Sequence, residues 1–220
     1  MAIIFILNWL FSESNTGNNS SRYLLVTGVP TQPIVICFLR LVATFEYLSK
    51  SITVGIPIIG PNKGKWLYDK IVELKPKNIL EIGTATGYSG IILGHLGANL
   101  TTIDQDKKAQ AEAKKNFDEF KINSEIINGN GVEEVKKLSK EKSNVFDLIF
   151  IDFAKKRYID VLEYCIDLVK VNGYIIADNI DLDGCQNFKT AVMNHPKLNT
   201  EIIDIEDELS CSEKIKDWQL

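Results

Sequence analysis

Apolar and polar positions fall into a regular alternation of elements from about Ser51 onward. Gly55, Pro57, Gly60, Pro61 and Gly64 punctuate an approach loop, and Leu67, Ile71 and Leu74 then recur at helical spacing until Pro76 ends the pattern. Asn78–Ile79–Leu80–Glu81–Ile82–Gly83 reads as a buried strand, Tyr88 to Leu96 as a helix and Asn99 to Asp104 as a second strand. Asp106 to Phe120 carries Ala109, Ala113, Phe117 and Phe120 on one helical face. Glu125 to Asn128 is a short strand, Val132 to Leu138 a helix and Phe146 to Asp152 a strongly apolar strand. Tyr158 to Lys170 is a helix with Val161, Leu162, Cys165, Leu168 and Val169 inward, and Asn172–Gly173 turns the chain into the strand Tyr174 to Asp178. Near-continuous apolar strands separated by helices predict an α/β domain with a parallel sheet covered on both faces. Thr200 to Ile205 and Leu209 to Ile215 differ: the Glu206–Asp207–Glu208 linker is too short for a crossover helix and predicts an antiparallel hairpin.

The first 50 residues lack this rhythm and are assigned to an amino-terminal extension, with the domain proper at 51–220. Met1 to Phe11 is apolar but short for a span, and no Lys or Arg precedes Arg22, so the positive start of a signal peptide is missing. Ser12 to Ser21 reads as a flexible linker, and Pro30, Pro33 and Arg40 interrupt the apolar stretch Tyr23 to Leu48. Membrane insertion is therefore disfavoured, and a cytoplasmic location is expected. The chain of 220 residues is 45% apolar and 25% charged, ordinary for a soluble domain. Its net charge of −4 gives no reason to expect a binder of DNA phosphates. Cys37, Cys165, Cys185 and Cys211 form no CxxC pair, and with His95 and His195 as the only histidines a zinc site is a poor expectation.

Candidate chemistry begins at the loop after the first strand, Glu81–Ile82–Gly83–Thr84–Ala85–Thr86–Gly87–Tyr88–Ser89. In open parallel sheets, ligands bind beyond the carboxyl ends of the strands where strand order reverses. Gly83 permits a tight turn and close approach of a ligand, and Gly87 lets the next helix begin against the strand. Asp104 ends the second strand, where a carboxylate can accept ribose hydroxyls. That feature is common to nucleotide and S-adenosylmethionine pockets. The GxGxxG spacing of a dinucleotide site is absent, and acidic Glu81 suits the ammonium of a methionine moiety while repelling a pyrophosphate. The alternative is a tight strand–helix turn with no ligand.

Two further strands end in acids. Asp152 follows Leu148–Ile149–Phe150–Ile151, and Asp178–Asn179 follows Tyr174–Ile175–Ile176–Ala177. If these strands are neighbours, the two carboxylates converge and must share a proton or bind a cation. With the amide oxygen of Asn179 they form a hard oxygen set suited to Mg²⁺ or Ca²⁺. Lys155 can reach the same edge, where a lysine with lowered pKa acts as a general base. The competing reading has both aspartates capping helices and Lys155 in solvent.

Taken together, these segments resemble the cation-dependent O-methyltransferases, the family that includes catechol and caffeoyl-coenzyme A O-methyltransferases, over roughly Val54 to Lys214. The resemblance rests on Leu80 to Ser89, Phe146 to Lys155 and Asn172 to Asn179. It implies a Rossmann-like class I methyltransferase fold, with a seven-stranded, mostly parallel sheet, a carboxyl-terminal antiparallel hairpin and helices on both faces. It also implies S-adenosyl-L-methionine bound by Glu81, Gly83, Thr84, Ala85, Gly87, Tyr88, Ser89, Asp104 and Asp152, with Gly131 and Val132 at the adenine. A divalent cation, Mg²⁺ by preference, is implied at Asp152, Asp178 and Asn179, with Lys155 and Asp152 catalytic. The implied reaction is an SN2 methyl transfer to a hydroxyl oxygen of a small acceptor, in a homodimer. Methylation of a modified tRNA base and a non-catalytic S-adenosylmethionine-binding domain are the alternatives; the glycine spacing disfavours an NAD-dependent oxidoreductase.

Overall fold

A computed structural model describes residues 59–216. The amino-terminal extension assigned to 1–50, Cys37 and the Gly55 and Pro57 positions of the approach loop lie outside the described residues. Strands β1 (Asn78–Ile82), β2 (Asn99–Asp104), β3 (Ser124–Asn128), β4 (Phe146–Ile151), β5 (Val169–Asp178), β6 (Leu198–Ile203) and β7 (Leu209–Lys214) form one sheet. Its order is β3-β2-β1-β4-β5-β7-β6. The first five strands pair in parallel, and β7 pairs antiparallel with both β5 and β6.

Alternate residues of each central strand feed different cores, as a strand period of two requires. In β4, Leu148 and Phe150 join a cluster with Leu67, Ile71, Ile91 and Phe117. Ile149 and Ile151 join the opposite cluster with Val135, Val161, Leu162 and Phe188. Helices α1 (Pro61–Leu74), α2 (Tyr88–Gly94) and α3 (Lys107–Glu119) therefore cover one face. Helices α4 (Gly131–Glu141), α5 (Tyr158–Leu168) and α6 (Gln186–Asn194) cover the other. Both faces of the central strands β1 and β4 are buried, which explains their near-continuous apolar sequences. Among the described residues, no helix is long and apolar enough to cross a membrane.

The structure departs from the sequence expectation in three places. Helix α1 starts at Pro61, inside the stretch read as a loop: Pro at the first helical position loses no hydrogen bond, and Gly64 packs where a Cβ would sit 3.2 Å from Tyr88 Oη. The turn at Asn172–Gly173 lies within β5, because Val169 already pairs with Phe146 before the register shifts. Helix α6 had no counterpart in the expected elements; its short apolar face is Phe188 and Val192.

Candidate active site

Strand order reverses between β1 and β4, and the residues that follow these strands meet there. The ladders run on into the loops, with Asp152 N donating to Ile82 O (2.9 Å) and Gly83 N to Ile103 O (2.9 Å). Gly83 holds φ 107, and a Cβ on it would lie 1.9 Å from the carbonyl oxygen of Asp152. Only glycine fits this crossing. Gly87, at φ 89, starts α2 with its Cα side packed on Phe117, 2.8 Å from the position of a Cβ.

A cavity of about 470 Å³ opens at this edge. The loop after β1 lines it with Gly83, Thr84, Ala85, Thr86, Tyr88 and Ser89; the end of β4 adds Asp152, Phe153 and Lys155; the end of β5 adds Asp178 and Asn179. The residues of the two acidic strand ends and the glycine loop thus share one space. Glu81 and Gly87 do not line it; both are buried behind it. Asp104 stands at the end of β2, its Oδ2 accepting from Ala85 N and its Oδ1 from Asp106 N, both at 2.9 Å. Gly131 and Val132 begin α4 under the Asn130 cap and also lie off the cavity wall.

Glu81 is fully enclosed and accepts from Ser89 Oγ (2.5 Å) and Thr102 Oγ1 (2.6 Å). Burial pushes its pKa from the ordinary 4.5 up to about 8, against the pull of those two bonds, with the charges of Asp152 and Asp104 adding to the rise. The folded state therefore holds a proton that the unfolded chain releases. This contribution to stability is fully present below about pH 4.5, shrinks as pH rises and is lost above about pH 8. Glu81→Gln is expected to flatten that dependence, by an amount on the order of a few kcal/mol between pH 5 and 9. Melting curves across that range check it; parallel slopes for the two proteins would show that Glu81 stays ionised in the fold.

At the other half of the cavity, Ile151 pairs with Ala177, so Asp152 and Asp178 leave the sheet side by side. Lys155 Nζ donates to Asp152 Oδ1 (2.5 Å) and to Tyr158 Oη (2.9 Å). Asp178 Oδ1 accepts from Lys63 Nζ (2.6 Å) and Asn179 N (2.7 Å). Burial and the neighbouring Asp152 raise the pKa of Asp178, while Lys63 opposes the rise. Asn179 adopts φ 55, a left-handed conformation that Asn tolerates better than most residues.

The donor chemistry fits a hard cation. One oxygen of each aspartate is engaged by a lysine, and Oδ2 of each accepts no hydrogen bond among the described residues. Asn179 on the cavity wall adds an amide oxygen. Among the described residues no three His, Cys, Asp or Glu side chains cluster as a metal site; here the third member of the set is an Asn. The loop half fits a cationic ligand through the carboxylates of Asp104, at the end of β2, and Asp152, on the cavity wall, with Glu81 behind them holding Ser89. A pyrophosphate would be repelled there.

Sequence reasoning missed Lys63, Tyr158, Glu206 and Asp207. Tyr158 was read as the start of a helix; it is fully buried, stacked on Phe153, and fixes Lys155. Glu206 and Asp207 line the cavity because β7 runs antiparallel beside β5, which brings the hairpin turn to the same edge. Asp181 N donating to Asp207 O (3.2 Å) ties that turn down.

This strand order, with its antiparallel β7 and a ligand cavity at the carboxyl ends, defines a class I methyltransferase fold. Solved structures agree. An O-methyltransferase from Bacillus cereus in complex with SAH superposes with a TM-score of 0.71 at 21% identity, over 96% of this chain and 97% of that one. TomG from Streptomyces achromogenes, solved with SAM, gives 0.70 at 18% identity over 96% of each chain. The sequence profile of the O-methyltransferase family matches residues 43–219. The chain belongs to the O-methyltransferase family. It is 35% identical over 137 residues to a catechol O-methyltransferase of Niastella koreensis, covering 59% of this chain and 62% of the relative. With the catechol O-methyltransferase of Mus musculus it shares 29% over 139 residues, 59% of this chain and 52% of the relative. The chain thus spans between about half and three fifths of the length of these curated relatives.

Proposed function

We propose that this chain transfers a methyl group from S-adenosyl-L-methionine to a hydroxyl oxygen of a small catechol-like or phenolic acceptor, assisted by a divalent cation, Mg²⁺ by preference. The observation that carries the reading is the single cavity joining the Gly83–Ser89 loop to Asp152, Lys155, Asp178 and Asn179. A binding-only domain has no need of the second group. The relatives named for catechols support the acceptor class.

The donor would supply an electrophilic methyl on a sulfonium, and Asp152, Asp178 and Asn179 would hold a cation whose chemistry is to lower the pKa of an acceptor oxygen. The chain's own residues do the positioning. Ser89, fixed by Glu81, and Asp152 receive the donor's amino-acid end, and Asp104 receives its ribose. Backbone at Gly131 and Val132 meets the adenine. Lys155 Nζ, held between Asp152 and Tyr158, first releases an ammonium proton to solvent and then, as the neutral amine, takes the acceptor's hydroxyl proton. Acceleration comes chiefly from holding the oxygen in line with the methyl group beside fixed charges.

A labelled-methyl assay with catechol, phenolic acyl-coenzyme A and tRNA, each with Mg²⁺ or with excess chelator, tests this. Catechol is expected to be methylated, with turnover falling by about 100-fold or more in chelator. Undiminished turnover in chelator would remove the cation from the reading. Donor binding without transfer to any hydroxylated acceptor would reduce the chain to a binding domain.

A further inference from the structure

Lys63 is a placement that needs a reason. Its side chain is 1% exposed, and lysine is almost never fully buried unless paired. It also sits in the first turn of α1, where the helix dipole disfavours a positive charge. Both costs are met by a single partner, Asp178, whose Oδ1 accepts from Nζ at 2.6 Å and whose side chain is 3% exposed. Asp178 Oδ2 accepts no hydrogen bond among the described residues, and both Lys63 and Asp178 line the cavity.

We propose that Lys63 is a resident counter-cation of the cation site: its ammonium holds Asp178 when no divalent ion is present and weakens binding of the ion when it arrives. The inference rests on the reading of Asp178 as a cation ligand. Two effects of Lys63 on the ion oppose each other. By fixing Oδ1 it orients the carboxylate, and outer-shell partners of this kind alter metal affinity by about 10–100-fold. Against that, a divalent ion taken up by the Asp178 carboxylate would share that group with the ammonium, across about 5 Å or less. At an effective dielectric of about 20, repulsion between one unit charge and a doubly charged ion at that distance amounts to a factor on the order of 10³ or more, even after solvent screening. Repulsion wins. Asp152 carries a lysine of its own, but that pair is about a quarter exposed and water screens it, whereas the Lys63–Asp178 pair is enclosed.

Mn²⁺ titration of the full chain by calorimetry, with melting curves at zero and saturating Mn²⁺, tests this on wild type, Lys63→Met, Lys63→Arg and Asp178→Asn. Lys63→Met is expected to bind Mn²⁺ about tenfold more tightly than wild type or better, and to gain more in melting temperature from the ion. Lys63→Arg, which keeps the charge, is expected to stay within about threefold of wild type. If Lys63→Met does not fold, Lys63→Gln keeps a donor without the charge and serves the same comparison. A purely structural lysine would lower the melting temperature equally with and without Mn²⁺ and leave the affinity unchanged or weaker, and that result overturns the proposal. Where wild type binds Mn²⁺ and Asp178→Asn does not, such a result leaves the cation site standing. Absence of Mn²⁺ binding in both wild type and Lys63→Met overturns the proposal and the cation site together.

Discussion

Gly83→Ala is expected to destabilise the fold by more than about 4 kcal/mol and to abolish donor binding. Two penalties coincide at this position. The backbone sits at φ 107, a region that costs an L side chain roughly 1–3 kcal/mol. The new Cβ would also fall 1.9 Å from the Asp152 carbonyl oxygen, a backbone atom pinned by the pairing of β4 with β1. No rotamer change relieves that overlap, so the loop must leave the end of β4 and the two halves of the cavity separate. Gly97→Ala is the control: its φ is 88, but a Cβ there meets nothing within 4 Å. That variant carries the conformational cost alone, about 1–2 kcal/mol. Urea unfolding of both variants separates the terms. If Gly83→Ala costs no more than Gly97→Ala, the loop does not pack on the end of β4 as described.

The same contact shows what was legible in the sequence. An apolar run ending in an acid and a glycine marks the end of a buried strand, so Glu81 to Gly83, Asp152 and Asp178 could be placed at the carboxyl edge without coordinates. Their meeting depended on strand order, which the sequence left as a condition and the parallel pairing of β4 with β5 supplies. The position of Glu81 was legible, but its partners were not: its side chain meets Ser89 of α2 and Thr102 of β2, which enclose it. The hairpin was legible as a hairpin, yet nothing local says that β7 inserts between β5 and β6 and carries Glu206 and Asp207 to the cavity. Lys63 was hidden for a different reason. Glycine and proline around it read as loop, and its partner lies at Asp178, in another element 115 residues further on. Ion pairs of that sequence separation leave no periodic trace.

Lys155→Met is expected to lower the turnover number by about 10²–10⁴-fold while the affinity for the methyl donor stays within a few-fold of wild type. Lys155 opens the short 3-10 turn Lys155–Arg157 after β4, so its Cα is held by the strand end while its side chain stays partly exposed at the cavity. Nζ has two anchors, Asp152 Oδ1 at 2.5 Å and Tyr158 Oη at 2.9 Å. Tyr158 is rigid, being fully buried, stacked on Phe153 at 5.4 Å and set edge-on to Phe188. A mere surface ion pair contributes about 0–1 kcal/mol and leaves catalysis alone. A lysine fixed for proton transfer behaves otherwise, because methionine keeps the length of the side chain and removes the group that accepts the proton. Tyr158→Phe keeps the packing and removes one anchor, so its turnover is expected to fall by less, about tenfold. Turnover of the two variants, read with donor affinity by calorimetry, decides the matter. Lys155→Met retaining more than about a tenth of wild-type turnover would leave Lys155 as a counter-charge to Asp152 and pass proton removal to solvent.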